Sequence, residues 1–120
     1  MDVLTVSKAM NSRIIELETL GKELNRLADN RASTSATYAK MLAMTIIQLR
    51  NGTKFIFKGQ EVENPPVSIM EKIAKGICWE EQLKMDIAEF EHKNQIELMD
   101  KAKSQLNGYQ SINKFLADID

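Results

Sequence analysis

Apolar residues open the chain at helical spacing. Val3, Val6, Met10, Ile14, Leu17, Leu20, Leu24 and Leu27 recur in steps of three and four, the period of an amphipathic helix. The last four form an a/d seam of the coiled-coil kind. Asp2 stands where a carboxylate can accept from the free N–H groups of a first turn. From Asp29 to Thr37 the chain turns polar and rich in Ser and Thr, but it holds no Gly or Pro to break a helix. Ala32, Ala36, Ala39 and Ala43 recur through and beyond it, a stripe of small side chains that lets a neighbouring helix approach closely. Tyr38, Leu42, Ile46 and Leu49 resume the larger pattern. The spacing predicts one helix over about 3–50, with any bend near Ser33, roughly 70 Å long at 1.5 Å per residue.

Asn51-Gly52 ends that helix, because glycine tolerates the left-handed conformation just past a helix terminus. The insert over 51–66 has two readings. Lys54-Phe55-Ile56-Phe57 favours β structure, Lys58-Gly59 can turn, and Gln60-Glu61-Val62-Glu63 alternates, which gives a hairpin with strands about 54–57 and 60–63. The other reading is an irregular loop whose Phe55 and Phe57 cap the helical core. Pro65-Pro66 forbids helix before it, and Ser68-Ile69-Met70-Glu71 has the form of a capping box. A second helix is expected from about Ile69 to Leu116. Its apolar positions are Ile69, Ile73, Ile77, Leu83, Ile87, Phe90, Leu98, Ala102, Leu106, Tyr109, Ile112, Leu116 and Ile119. Gly76 and Gly108 each weaken it by about 1 kcal/mol relative to Ala, and Asn107-Gly108 is where it would be interrupted.

These elements predict an all-α single domain over 1–120: two long antiparallel helices joined by a short hairpin or loop. A two-helix hairpin cannot bury both sides of its apolar stripes. The leftover surface and the polar stretch at 29–37 point to self-association, as a dimer or higher oligomer, in bundles of four or more helices.

Composition agrees. Aromatics are 6% of the 120 residues while Met numbers seven, a core chemistry suited to helix-on-helix packing. The net charge of −1 gives no global field for nucleic acid or an anionic membrane. Charge is uneven, however. Residues 1–50 carry seven bases and five acids, and residues 67–120 carry seven bases and ten acids. Opposite signs favour packing of the two halves, within a chain or between chains. Cys78 alone excludes an internal disulfide. Met1-Asp2-Val3-Leu4 has no signal-peptide character, and no run approaches the roughly 18 apolar residues of a membrane span. The expected setting is the cytoplasm, with no membrane partner.

Chemistry is sparse. Glu89-Phe90-Glu91-His92 places Glu89 and His92 at the spacing used by di-iron bundles, and they are the weak candidates for a metal. Ile87, Phe90 and Asn94 follow the core stripe, however, so Glu89 and His92 are expected to flank it and meet water. His92 is the only histidine. Cys78 lies 14 residues from it, about 21 Å along one helix, so the two cannot form a nucleophile–base pair within one chain. Cys78 beside Trp79 reads as a packing pair. No phosphate-binding glycine loop is present. No enzyme and no cofactor is expected. For a protein partner the candidates are Phe55, Phe57, Trp79 and Tyr109. For nucleic acid they are Arg26, Arg31, Lys40, Arg50, Lys54 and Lys58, although no aromatic platform interleaves them.

The run from Glu71-Lys72-Ile73-Ala74-Lys75-Gly76 through Leu106-Asn107-Gly108-Tyr109-Gln110-Ser111-Ile112-Asn113 resembles small helical proteins encoded by tailed phages and prophages of Gram-positive bacteria. Tyr38 in an alanine-rich first helix, a Gly- and Pro-bearing middle, and Gln110-Ser111 near the end carry the likeness. The resemblance implies an accessory or host-takeover protein in the host cytoplasm, or one of phage DNA metabolism, with no catalytic residues to carry over. The helix–hairpin–helix plan also resembles prefoldin subunits, in architecture only. Three functions are therefore expected in order: an oligomerising adaptor for another protein, a nucleic-acid accessory protein, and a metal- or small-ligand-binding bundle.

Overall fold

The computed structural model describes residues 2–119. Met1 and Asp120, which complete the expected domain over 1–120, lie outside the described residues. In chain order the elements are helix α1 (Val3–Arg50), strands β1 (Phe55–Phe57) and β2 (Gln60–Val62), and helices α2 (Val67–Ile77) and α3 (Trp79–Ile119). The chain forms two compact units. One comprises residues up to Asp29 and from Phe90 onward; the other is Asn30–Glu89.

α1 is one continuous helix through the polar stretch. Its start is capped as the sequence suggests: the Thr5 amide donates to Asp2 Oδ1 at 2.7 Å. That bond holds the Asp2 carboxyl below its ordinary range. Within the Ser/Thr-rich segment, Thr34 Oγ1 donates back to the Asn30 carbonyl at 2.9 Å, so its hydroxyl is satisfied without opening the helix. At the far end Gly52 takes φ 81°. The Gly52 amide donates to Leu49 O and the Thr53 amide to Gln48 O, the paired bonds of a Schellman terminus.

In the unit spanning 30–89 the insert is a β-hairpin. β1 and β2 pair antiparallel with Phe55 opposite Val62 and Phe57 opposite Gln60. Lys58 and Gly59 both have positive φ, 49° and 79°, the two-residue turn whose twist matches that of the strands. An isolated hairpin is marginal, and this one is docked. Phe55 and Val62 pack on the cluster of Leu49, Met70 and Ala74, together with Leu42, Ile46, Ile73 and Ile77. The Phe57 ring packs over Gly76, 3.9 Å from where a Cβ would stand, an ordinary contact distance that a side chain there would also allow. Thr45 Oγ1 and Cys78 Sγ meet at 3.3 Å, and Arg31 pairs with Glu89 at 3.5 Å. Rising numbers on α3 thus meet falling numbers on α1, so the helices run antiparallel.

In the other unit the same direction holds. Gln95 Nε2 donates to the Leu20 carbonyl at 3.0 Å, and Arg13 donates to Gln105 Oε1 at 3.2 Å. Val6, Leu27, Ala102 and Gln95 are buried.

The second helical segment departs from expectation in two ways. It begins at Val67, with Pro66 as N-cap and no side-chain cap bond. Ser68 therefore lies inside the first turn and the expected capping box does not form; Glu71 pairs instead with Lys75 at 3.3 Å. The segment divides at Cys78 (φ −92°, ψ 25°) into α2 and α3. As expected of a helix running to about Leu116, Gly108 interrupts nothing, and α3 ends at Ile119.

The larger correction concerns which face is inside. Along α3 runs a series of buried and half-buried positions, flanked by half-buried Gln82 and Glu89: Glu81, Met85, Ala88, His92, Gln95, Met99, Ala102, Leu106, Tyr109, Asn113 and Leu116. They alternate steps of three and four without a break, the geometry of a coiled-coil seam. Leu83, Ile87, Phe90, Leu98, Ile112 and Ile119, expected to be core, are exposed by 39–65%. On α1 the alanine stripe is likewise exposed, while Arg31, Thr34, Tyr38, Leu42, Thr45 and Leu49 turn inward. Ile14 is exposed and Arg13 is half-buried beside it.

Candidate interaction surfaces

In the 30–89 unit, α1 and α3 each carry two stripes. One is the seam; the other lies on the opposite side of the helix. At 100° per residue, Ala32, Ala36, Ala39, Lys40, Ala43, Ile47 and Arg50 fall within one arc of about 100° on α1. All are exposed. On α3, Trp79, Glu80, Leu83, Asp86 and Ile87 share a similar arc and are exposed as well. Trp79, Leu83 and Ile87 each keep nearly half their surface open, and Ile47 keeps 58%. Burying one such side chain fully is worth about 1.5–3 kcal/mol. These outer stripes hold binding energy that the chain's own contacts do not use.

Of the expected protein-contact residues, only Trp79 stands on such a surface. Phe55 and Phe57 are half-buried and fasten the hairpin to the helices. Tyr109 is half-buried on the α3 seam of the other unit. Cys78 and Trp79 do not act as a pair: the thiol is 2% exposed and the indole 49%, because adjacent helical positions point about 100° apart.

The six basic candidates also separate. Arg26 Nε donates to Glu23 Oε2 at 2.9 Å, which lowers the Glu23 pKa through that hydrogen bond and raises that of Arg26. Arg31 is paired with Glu89. Lys54 lies 3.3 Å from Glu61 and 3.8 Å from Glu63. Lys58 sits over the Phe57 ring, 5.7 Å from its centroid. Lys40 and Arg50 make no ion pair among the described residues, and both lie on the outer stripe of α1. No single basic face gathers the six.

Glu89 and His92 do not flank the core in full solvent. Each is half-buried on the inward side of α3, Glu89 in its ion pair and His92 on the seam. Among the described residues no three His, Cys, Asp or Glu side chains gather as a metal site would require. No helix among them is long and apolar enough to cross a membrane.

Sequence reasoning missed Ile47, Leu83 and Ile87 as surface residues. The available signal was a second three-four series on α3, obscured because its members include Glu81, His92, Gln95 and Asn113. Compared with models of known protein families, with curated proteins and with solved structures, the chain gives no significant match.

Proposed function

We propose that this chain is a non-catalytic helical interaction protein that associates with itself and binds another protein, in the manner of a phage or prophage accessory factor. The phage setting rests on the resemblance of α2 and α3 described above. One observation carries the rest. Among the described residues nineteen large apolar side chains are exposed, against eight buried apolar residues, three of which are alanines. Single exposed apolar residues need no explanation, but apolar stripes running along both long helices mark contact surfaces.

Size-exclusion chromatography with light scattering tests the reading. The expected mass is a multiple of 13.6 kDa at tens of micromolar, falling on dilution. Capture from a Gram-positive bacterial lysate on immobilised protein, identified by mass spectrometry, tests the second half. A monomer at every concentration that also captures nothing overturns the proposal.

A further inference from the structure

Within the 30–89 unit the two outer stripes are unlike in both size and sign. That of α1 is built of four alanines with Ile47, so its surface is shallow. Its charges are Lys40 and Arg50, with no carboxylate anywhere between Asn30 and Arg50. That of α3 presents the large side chains Trp79, Leu83 and Ile87, and its charges are Glu80 and Asp86. None of the four charged groups has an ion-pair partner among the described residues. Each stripe lacks what the other offers.

We infer that the outer stripe of α3 in one copy docks on the outer stripe of α1 in a second copy. This rests on the self-association proposed above and names its surfaces. Bulky side chains need small ones opposite them to bring two helices to the usual 8–10 Å separation. Alanines at 36, 39 and 43 provide that room for Leu83 and Ile87. The apolar tracts match in length: Trp79 to Ile87 covers about 12 Å and Ala32 to Ala43 about 16 Å of helix. Charge sets the pairing. α1 on α1 would oppose cations, and α3 on α3 would oppose carboxylates, so each stripe disfavours its own kind. The contact joins two different patches and is therefore heterologous, able to close a ring or to propagate.

Complementing variants test this. Ala36→Glu spoils only the α1 stripe and Leu83→Glu only the α3 stripe. Each alone should elute as a monomer with an unchanged far-ultraviolet circular dichroism spectrum. Mixed one to one, they should form a dimer of twice the monomer mass, because each supplies the surface the other lost. A second pair, Lys40→Glu with Arg50→Glu and Glu80→Lys with Asp86→Lys, touches only exposed unpaired charges and so spares folding. Each charge-reversed protein should fail to associate alone, and the mixture should recover association, weakening as salt rises. If the wild type associates but either single-stripe variant still does so unchanged, the inference falls and self-association stands. If the variants are monomers and neither mixture recovers, the pairing falls while self-association again stands. A wild type that is a monomer throughout removes both.

Discussion

Leu49 and Ile47 are two residues apart on α1 and point to opposite sides of it, so a matched pair of alanine substitutions reads the packing directly. Leu49 is fully buried, in contact with the cluster that joins α1, α2 and the hairpin. Leu49→Ala removes its transfer energy and leaves a cavity, at a cost of about 2–5 kcal/mol. Ile47 is 58% exposed. Less than half of an isoleucine's burial energy is at stake there, roughly 1 kcal/mol. Alanine's better helix propensity returns about 0.4 kcal/mol of it, leaving a net near 0.5 kcal/mol.

Urea unfolding at low micromolar protein, followed by tryptophan fluorescence, measures both. Trp79 is the only tryptophan and lies in the same unit as both sites. With a slope of about 2 kcal/mol per molar urea, Leu49→Ala should lower the midpoint by about 1–2.5 M and Ile47→Ala by about 0.25 M. At high protein concentration the Ile47→Ala deficit should grow, since association stabilises the folded chain by mass action. Equal midpoint losses at low concentration, or a larger loss for Ile47→Ala, would refute the assignment of inner and outer faces.

Gln95→Leu should leave the melting temperature unchanged or raise it, because the Leu20 carbonyl keeps its own helical partner and an apolar side chain suits the seam; a loss above about 1 kcal/mol by thermal denaturation would contradict this. The Asp2 cap should depend on pH with a definite sign. Its folded-state pKa is lowered, chiefly by the Thr5 backbone hydrogen bond, from an ordinary value of 3.8. The cap is therefore fully present above that value and is lost as pH falls through the lowered one; Thr5 amide protection should drop in that window and stay flat from pH 5 to 7. Gel shifts on single- and double-stranded DNA at low salt should show no complex at micromolar protein, since Arg26, Arg31 and Lys54 already face carboxylates; a salt-sensitive shift would restore the nucleic-acid reading.

Helix positions and the all-α plan were legible because spacing and turn chemistry are local. Asp2, Gly52 and the Lys58-Gly59 turn each act within a few residues, and each does what its type implies. The inner face of α3 was not legible, and the reason is physical. Hydropathy ranks Leu83, Ile87 and Phe90 above His92, Gln95 and Asn113, so a reading that assumes one apolar stripe must choose the former. Gln95 is buried because α1 offers it the Leu20 carbonyl 75 residues away, a partner that no local pattern displays. The same holds for Arg13, which fills the place expected of Ile14 and bonds Gln105. The helix break at Cys78 was invisible too: the backbone amides of Cys78 and Gln82 still bond four residues back, so the apolar period hardly changes across it.

The distribution of polarity between the two sides of α3 suggests a division of labour. Polar groups at seam positions cost stability but fix register, as a single buried amide does in a coiled coil. Of the polar groups on this side of α3, Gln95 bonds the Leu20 carbonyl and Glu89, at the seam's edge, pairs with Arg31. A one-turn slip would take Gln95 away from Leu20, and Glu89 away from Arg31. The inner face thus selects one alignment of α1 with α3, at the expense of the large apolar contacts that would have made it tighter. Leu83, Ile87 and Trp79 stand exposed on the outside, and the proposed self-association gives them a surface of a second copy to cover them. On the proposed reading, folding of the single chain sets the register, and association supplies the remaining stability. Replacing Leu83 and Ile87 with glutamine should then abolish concentration dependence of the unfolding midpoint, while leaving the dilute-limit midpoint within about 0.5 M urea of the wild type; a collapse of the dilute midpoint would place those side chains in the core after all.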